Sequence, residues 1–193
     1  MPAMSRIERA FCQSPVWRPI SGRLVGWSSS NQPLGTDVLE IGAGSGAMAA
    51  ELLAKNPRIT VTATDIDPVM VDDSATRLAG FGERARSEIA DVTALPYPDS
   101  SFDNVLSFLM LHHVMEWRAA LAEIARVLRP GGTLLGYDLT RSPVPSFIHR
   151  YDGSPHILIT PGELSEGCVD VGLQRIDVIP VLFGQGMRFV AQR

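Results

Sequence analysis

Three glycines at alternate positions, Gly42, Gly44 and Gly46, follow the short apolar run that ends at Ile41, within VLEIGAGSGAMAAELL (Val38–Leu53). Glycine adopts positive φ and lets a backbone approach a ligand closely. A turn of this kind between a strand and a helix receives the phosphate or sugar end of a nucleotide. Gly42, Gly44 and Ala47 satisfy the permissive dinucleotide fingerprint G-x-G-x-x-A. Asp65 ends the next β-branched run, TVTATD. An acid there can accept hydrogen bonds from two ribose hydroxyls, whether the ribose belongs to NAD or to another adenosine cofactor. A tight turn with no ligand is the bland alternative.

Glu40 bears on which nucleotide it is. It precedes Gly42 near the mouth of the turn. A pyrophosphate there would face a carboxylate, whereas an ammonium would be attracted. S-adenosylmethionine (SAM) has a cationic amino group, a sulfonium and no phosphate, so its charge suits the site better. The competing reading of Glu40 is a carboxylate pointing to solvent from a strand end.

The elements that must position these residues alternate. Asp37–Ile41 reads as the first strand and Gly46–Asn56 as a helix stopped by Pro57. Thr60–Asp65 is a second strand. Pro68 opens a helix that Gly80 and Gly82 end. Ser87–Asp91 is a weaker third strand, and Asp103–Leu109 is apolar enough to be central. In the helix Glu116–Leu128, Trp117, Leu121, Ile124 and Leu128 share one face. Arg129–Gly132 (RPGG) ends it and opens a fifth strand, Thr133–Asp138. Pro161–Val171 is a helix, and Arg175–Ile179 and Met187–Ala191 are the final strands. The alternation predicts an α/β fold, a doubly wound, mostly parallel sheet with helices on both faces. The short link between the last two strands permits a hairpin, with an antiparallel strand at one edge.

Two segments lie outside the alternation. Trp17, Ile20, Leu24 and Trp27 predict a short amphipathic helix in an N-terminal cap, residues 1–34. Residues 141–162 hold four prolines with Phe147, His149, Tyr151 and His156, and read as a structured loop on the substrate side.

The chain's 193 residues suit one domain. Net charge is -4 and Lys55 is the only lysine, which disfavours nucleic acid as a partner. Cys12 and Cys168 have no redox or metal spacing, and no His/Cys/Asp cluster has a metal-ligand spacing. The N-terminus lacks the apolar core of a secretory signal. The longest apolar run, Val105–Leu111, is too short to cross a bilayer. A cytoplasmic protein without an integral membrane segment is expected.

Four stretches together resemble a family: VLEIGAGSG (Val38–Gly46), TATDIDPVMV (Thr62–Val71), ADVTALPYPDSSFDNVLSFLMLHHV (Ala90–Val114) and EIARVLRPGGTLL (Glu123–Leu135). In order and spacing they resemble the Rossmann-like class I SAM-dependent methyltransferases, in the branch that includes the quinone-biosynthesis enzymes and many small-molecule methyltransferases. The resemblance implies a seven-stranded sheet with its last strand antiparallel. It implies that Gly42, Ala43, Gly44 and Gly46 line the methionine part of SAM, with Glu40 orienting that region. It places Asp65 on the ribose, Ile66 on the adenine, Asp91 on the adenine amine with Val92 beside it, and Phe108 beneath the cofactor near the methyl. The partner implied is a small-molecule methyl acceptor.

Methyl transfer from a sulfonium is an in-line displacement, so the protein mainly aligns and desolvates. A base is needed only where the acceptor must lose a proton, as with an alcohol, phenol or acidic carbon. His112, His113 and Asp138 are the candidates. Capping or surface packing competes for the histidines, and a structural strand-end role competes for Asp138. The chain lacks the long lid insertions of the quinone and sterol enzymes and the cysteines of arsenite-methylating ones, which weighs against copying their acceptors. A nicotinamide oxidoreductase and a non-catalytic SAM-binding module stay open as rivals.

Overall fold

The computed structural model describes residues 33–143, 145–147 and 155–193. Seven strands form one sheet: β1 (Asp37–Ile41), β2 (Thr60–Asp65), β3 (Ala85–Ile89), β4 (Phe102–Phe108), β5 (Leu128–Leu139), β6 (Gln174–Val181) and β7 (Gly186–Gln192). Their order is β3-β2-β1-β4-β5-β7-β6. β1 and β2 match the sequence reading residue for residue. β1 is central, and its last four residues are buried, as a strand covered on both faces requires.

Four helices were expected from the sequence after Asp37 and are present: α1 (Ala47–Lys55), α2 (Pro68–Leu78), α3 (Trp117–Val127) and α4 (Pro161–Asp170). Met48, Leu52 and Leu53 of α1 and Leu78 of α2 pack with Val38, Val61 and Leu106 on one face of the sheet. Trp117, Leu121 and Ile124 of α3 and Leu164 of α4 pack with Leu39, Val105 and Leu134 on the other. The chain therefore changes face between β1 and β4, and the crevice at their carboxyl ends is where such sheets bind ligands. Asp67 caps α2, its side chain accepting from the Val69 amide at 3.0 Å, with Pro68 in the first turn. Thr160 and Glu163 form a capping box on α4.

Three expectations are corrected. The antiparallel strand is not at an edge. β7 runs antiparallel to both β5 and β6 and lies between them, so β6 is the edge strand and runs parallel to β5. The crossing through α4 leaves a one-strand gap beside β5, and the short turn after β6 folds β7 back into it. β3 ends at Ile89, two residues earlier than expected, which releases Asp91 into the following loop. β5 begins at Leu128 rather than Thr133. Arg129–Gly132 is taken into the strand through a register shift opposite Phe102–Asn104.

Among the described residues, no helix is long and apolar enough to cross a membrane. The expected N-terminal helix with Trp17, Ile20, Leu24 and Trp27 falls outside the described residues, as do Cys12, His149 and Tyr151. Phe147 is exposed.

Candidate active site

The turn after β1 is built on left-handed backbone. Gly42 has φ 62°, Gly44 φ 54° and Gly46 φ 73°. Two of them have no room for a side chain. A Cβ on Gly42 would run into Met110, and one on Gly46, the residue that starts α1, would lie 2.6 Å from Ser74 Oγ. Hydrogen bonds then fasten the turn to β2. The Ala43 amide donates to the Thr64 carbonyl at 2.8 Å, and the Gly46 amide to the Ala43 carbonyl at 3.0 Å. The Gly44 amide donates to Asp65 Oδ2 at 2.9 Å. Asp65 Oδ1 accepts from the Asp67 amide, also at 2.9 Å. We expect Gly42→Ala to cost about 1–2 kcal/mol from the left-handed backbone alone and to displace Met110. A lowered melting temperature together with lost nucleotide binding is the result to look for.

The acids around this turn are buried. Glu40 is 1% exposed and Asp65 8%, which settles the choice for Glu40 against a solvent-facing side chain. Glu40 Oε2 has no hydrogen-bond partner among the described residues. Burial pushes its carboxyl up to about 8; the Ala49 amide pulls the other way, and Asp65 adds to the rise. Burial also raises Asp65 above the usual carboxylate range, against the amide hydrogen bonds from Asp67 and Gly44. On the outer side of the turn, Arg77 Nε donates to the Ser45 carbonyl at 2.7 Å.

Beyond the turn, the Ala90 amide donates to the Asp65 carbonyl at 3.1 Å and draws the loop after β3 to the same rim. That loop carries Asp91 and Val92. Burial works against the charged form of Asp91, but hydrogen bonds from the Thr93 amide and hydroxyl, at 2.9 and 2.7 Å, hold its carboxyl below the usual range. Val92 is buried beside Leu95, and Ile66, directly after Asp65, is partly buried. Phe108 is a core residue. Its ring lies 5.2 Å from that of Tyr137, on the α1 side of the sheet. Met110, two residues on, closes over Gly42 instead, after a left-handed Leu109 at φ 53°. Further along the rim, His112 is 3% exposed and Asp138 2%. His112 Nδ1 is hydrogen-bonded to Asp138 Oδ1, and the His112 amide donates to Asp138 Oδ2 at 3.2 Å.

The methyltransferase domain family matches residues 39–136. The chain belongs to that family. A demethylmenaquinone methyltransferase of Clavibacter sepedonicus is 37% identical over 61% of this chain and 47% of its own length. A 27-O-demethylrifamycin SV methyltransferase of Amycolatopsis mediterranei is 37% identical over 58% of this chain and 42% of its own. The chain thus spans about half the length of the curated relatives it matches. Among solved structures, the Haemonchus contortus phosphoethanolamine N-methyltransferase 2 in complex with S-adenosyl-L-methionine superposes with a TM-score of 0.76 at 15% identity, over 91% of this chain and 52% of that one. The sheet is that of the Rossmann-like methyltransferase fold.

Two features of this site were not read from the sequence. Met110 carries no sequence signal, because its position over Gly42 follows from the backbone turn at Leu109. The pairing of His112 with Asp138 was visible only as two separate candidates. The signal that joins them is the adjacency of β4 and β5, which places Asp138, near the end of β5, beside the chain that leaves β4.

Proposed function

We propose that this chain is a SAM-dependent methyltransferase that transfers a methyl group to a small-molecule acceptor. One observation carries the reading: the glycine turn is lined by the buried carboxyls of Glu40 and Asp65, and among the described residues Glu40 keeps one oxygen without a partner. An ammonium supplies both the charge and the donors that Glu40 lacks. A pyrophosphate would add negative charge to a desolvated acid, which weighs against a nicotinamide coenzyme. The acceptors in the relatives' names, demethylmenaquinone and 27-O-demethylrifamycin SV, favour a small molecule over a macromolecule.

Bound SAM supplies a methyl group already activated by its sulfonium. The chain's own residues bind, orient and exclude water. Gly42, Ala43, Gly44 and Gly46 border the methionine portion, and Glu40 receives its ammonium. Asp65 keeps lone pairs for the ribose hydroxyls after accepting the two amides that fix its orientation. Ile66 and Val92 cover the adenine, and Asp91, turned by Thr93, accepts from the adenine amine. Met110, packed over Gly42, supplies the apolar side of the transfer path and keeps solvent from it, while Phe108, packed on Tyr137, supports the sheet beneath the cofactor.

Calorimetric titration of the purified chain with SAM, S-adenosylhomocysteine and NAD tests this. Saturable binding of the two sulfur ligands and none of NAD is expected. NAD binding without SAM binding would overturn the proposal in favour of an oxidoreductase.

A further inference from the structure

The loop from β3 to β4, residues 90–101, carries Asp91 and Val92 and has no helix or strand of its own. Its first turn is closed within itself. The Ala94 amide donates to the Asp91 carbonyl at 3.0 Å, and the Thr93 amide and hydroxyl donate to the Asp91 carboxylate. These bonds fix the shape of the turn but not its attitude to the sheet.

The residues that follow are held from outside, by α3. The Leu95 amide donates to Glu123 Oε2 at 2.7 Å. Arg126 donates from Nη2 to the Leu95 carbonyl at 3.0 Å, and from Nη1 to the Tyr97 carbonyl at 2.7 Å and to Asp99 Oδ1 at 2.8 Å. It also forks onto Glu123, Nε to Oε1 and Nη2 to Oε2, each at 2.8 Å. Among the described residues, every backbone hydrogen bond from residues 91–99 to another element ends on this pair.

A Glu–Arg pair three residues apart on a partly exposed helix face contributes little by itself. This one places its remaining polar atoms on both sides of the buried Leu95. A planar guanidinium can meet two carbonyls and two carboxylates together, which an ammonium cannot match. The Arg126 hydrogen bonds, helped by the Leu95 amide, hold the Glu123 carboxyl below its usual range against partial burial, so it stays an acceptor. Leu95 and Val92 share one core cluster with Ile124 of α3. The helix thereby sets where the carboxylate of Asp91 stands on the rim.

We propose that Glu123 and Arg126 are positioning residues for the base of the cofactor. By seating Leu95 and Tyr97 on α3 they aim Asp91, and they determine the preference of the site for a purine with a 6-amino group. This rests on the methyltransferase reading above, in which Asp91 accepts from the adenine amine. A 6-oxo group in the same place sets an acceptor against the carboxylate. A loosened loop lets Asp91 turn away, so both the reward for the amine and the penalty for the oxo group fall.

Calorimetric titration with S-adenosylhomocysteine and with its 6-oxo analogue, S-inosylhomocysteine, tests this. The wild-type chain should prefer the amino compound by about tenfold or more. In Arg126→Met and Glu123→Ala the preference should shrink to within about threefold, chiefly through weaker binding of the amino compound. Arg126→Lys keeps a charge beside Glu123 and Asp99 but not the fork, and should fall between. Arg118→Gln, which breaks the ion pair with Asp170 at the other end of α3, should keep the wild-type preference. A merely structural clamp would lower the melting temperature, or both affinities together, and leave their ratio unchanged. An unchanged ratio in the Arg126 and Glu123 variants would therefore overturn the proposal, as would a wild type indifferent to the two bases. If Arg126→Met does not fold, Arg126→Lys decides. Absence of S-adenosylhomocysteine binding to the wild type would instead refute the methyltransferase reading.

Discussion

Glu40→Gln removes the proton release that accompanies SAM binding to the wild-type protein. In the free chain, burial holds the Glu40 carboxyl up at about 8, with Asp65 opposing its ionisation and the Ala49 amide assisting it. At pH 6.5 the group is therefore protonated. An ammonium brought against it favours the carboxylate, so binding expels the proton. Calorimetry in two buffers of different ionisation enthalpy should read close to one proton released per SAM at that pH. Between pH 6 and 7 the wild-type affinity should rise by about tenfold per unit, levelling off above about pH 8. The Gln variant should release no proton, bind more weakly above pH 7 and show a flat profile. A binding heat that ignores the buffer would show that Glu40 is not at the ammonium.

The same ionisation acts on stability, in a direction that can be fixed. Glu40 keeps its proton in the folded chain until about pH 8, whereas the unfolded chain loses it near the model-compound value of 4.5. The folded state binds the extra proton between those values, so this contribution to stability is fully present below pH 4.5 and is lost as pH rises towards 8. Asp65, also raised, adds to the decline. Glu40→Gln should lessen it and exceed the unliganded wild type in melting temperature above pH 8.

Asp65→Ala should weaken SAM binding by about 1–3 kcal/mol, because the ribose hydroxyls lose their acceptor in a desolvated site. The substitution also releases the Gly44 and Asp67 amides, so part of the loss comes from a looser turn. Asp65→Asn separates the contributions. It keeps an oxygen for one amide and most of the packing while removing the charge. Equal affinity in all three proteins by calorimetry would rule out the ribose role of Asp65.

Much of this fold was legible because β1 and β2 are buried, apolar or β-branched, and closed by a glycine turn and an acid. The helical face of Trp117, Leu121 and Ile124 was legible for the same reason: each of these side chains is buried against the sheet. The place of β7 was not, since a hairpin link fixes an antiparallel neighbour but not which gap the pair fills. β3 lies at the sheet edge and has no fully buried residue, so its ends carry little pattern. The candidate site divides in the same way. Gly42, Gly44, Gly46 and Asp65 announce a nucleotide turn through local chemistry. The burial of Glu40, the reach of Met110 and the pairing of His112 with Asp138 depend on which strands adjoin, and that is set by the whole sheet.

The most direct measurement is a crystal structure of the chain with S-adenosylhomocysteine. The expected density has the amino acid end over Gly42–Gly46 with its ammonium at Glu40, the ribose at Asp65 and the adenine between Ile66 and Val92. A ligand bound elsewhere, or a crevice beside β1 closed by the chain's own side chains, would contradict the claim that this turn is built for an adenosyl sulfonium.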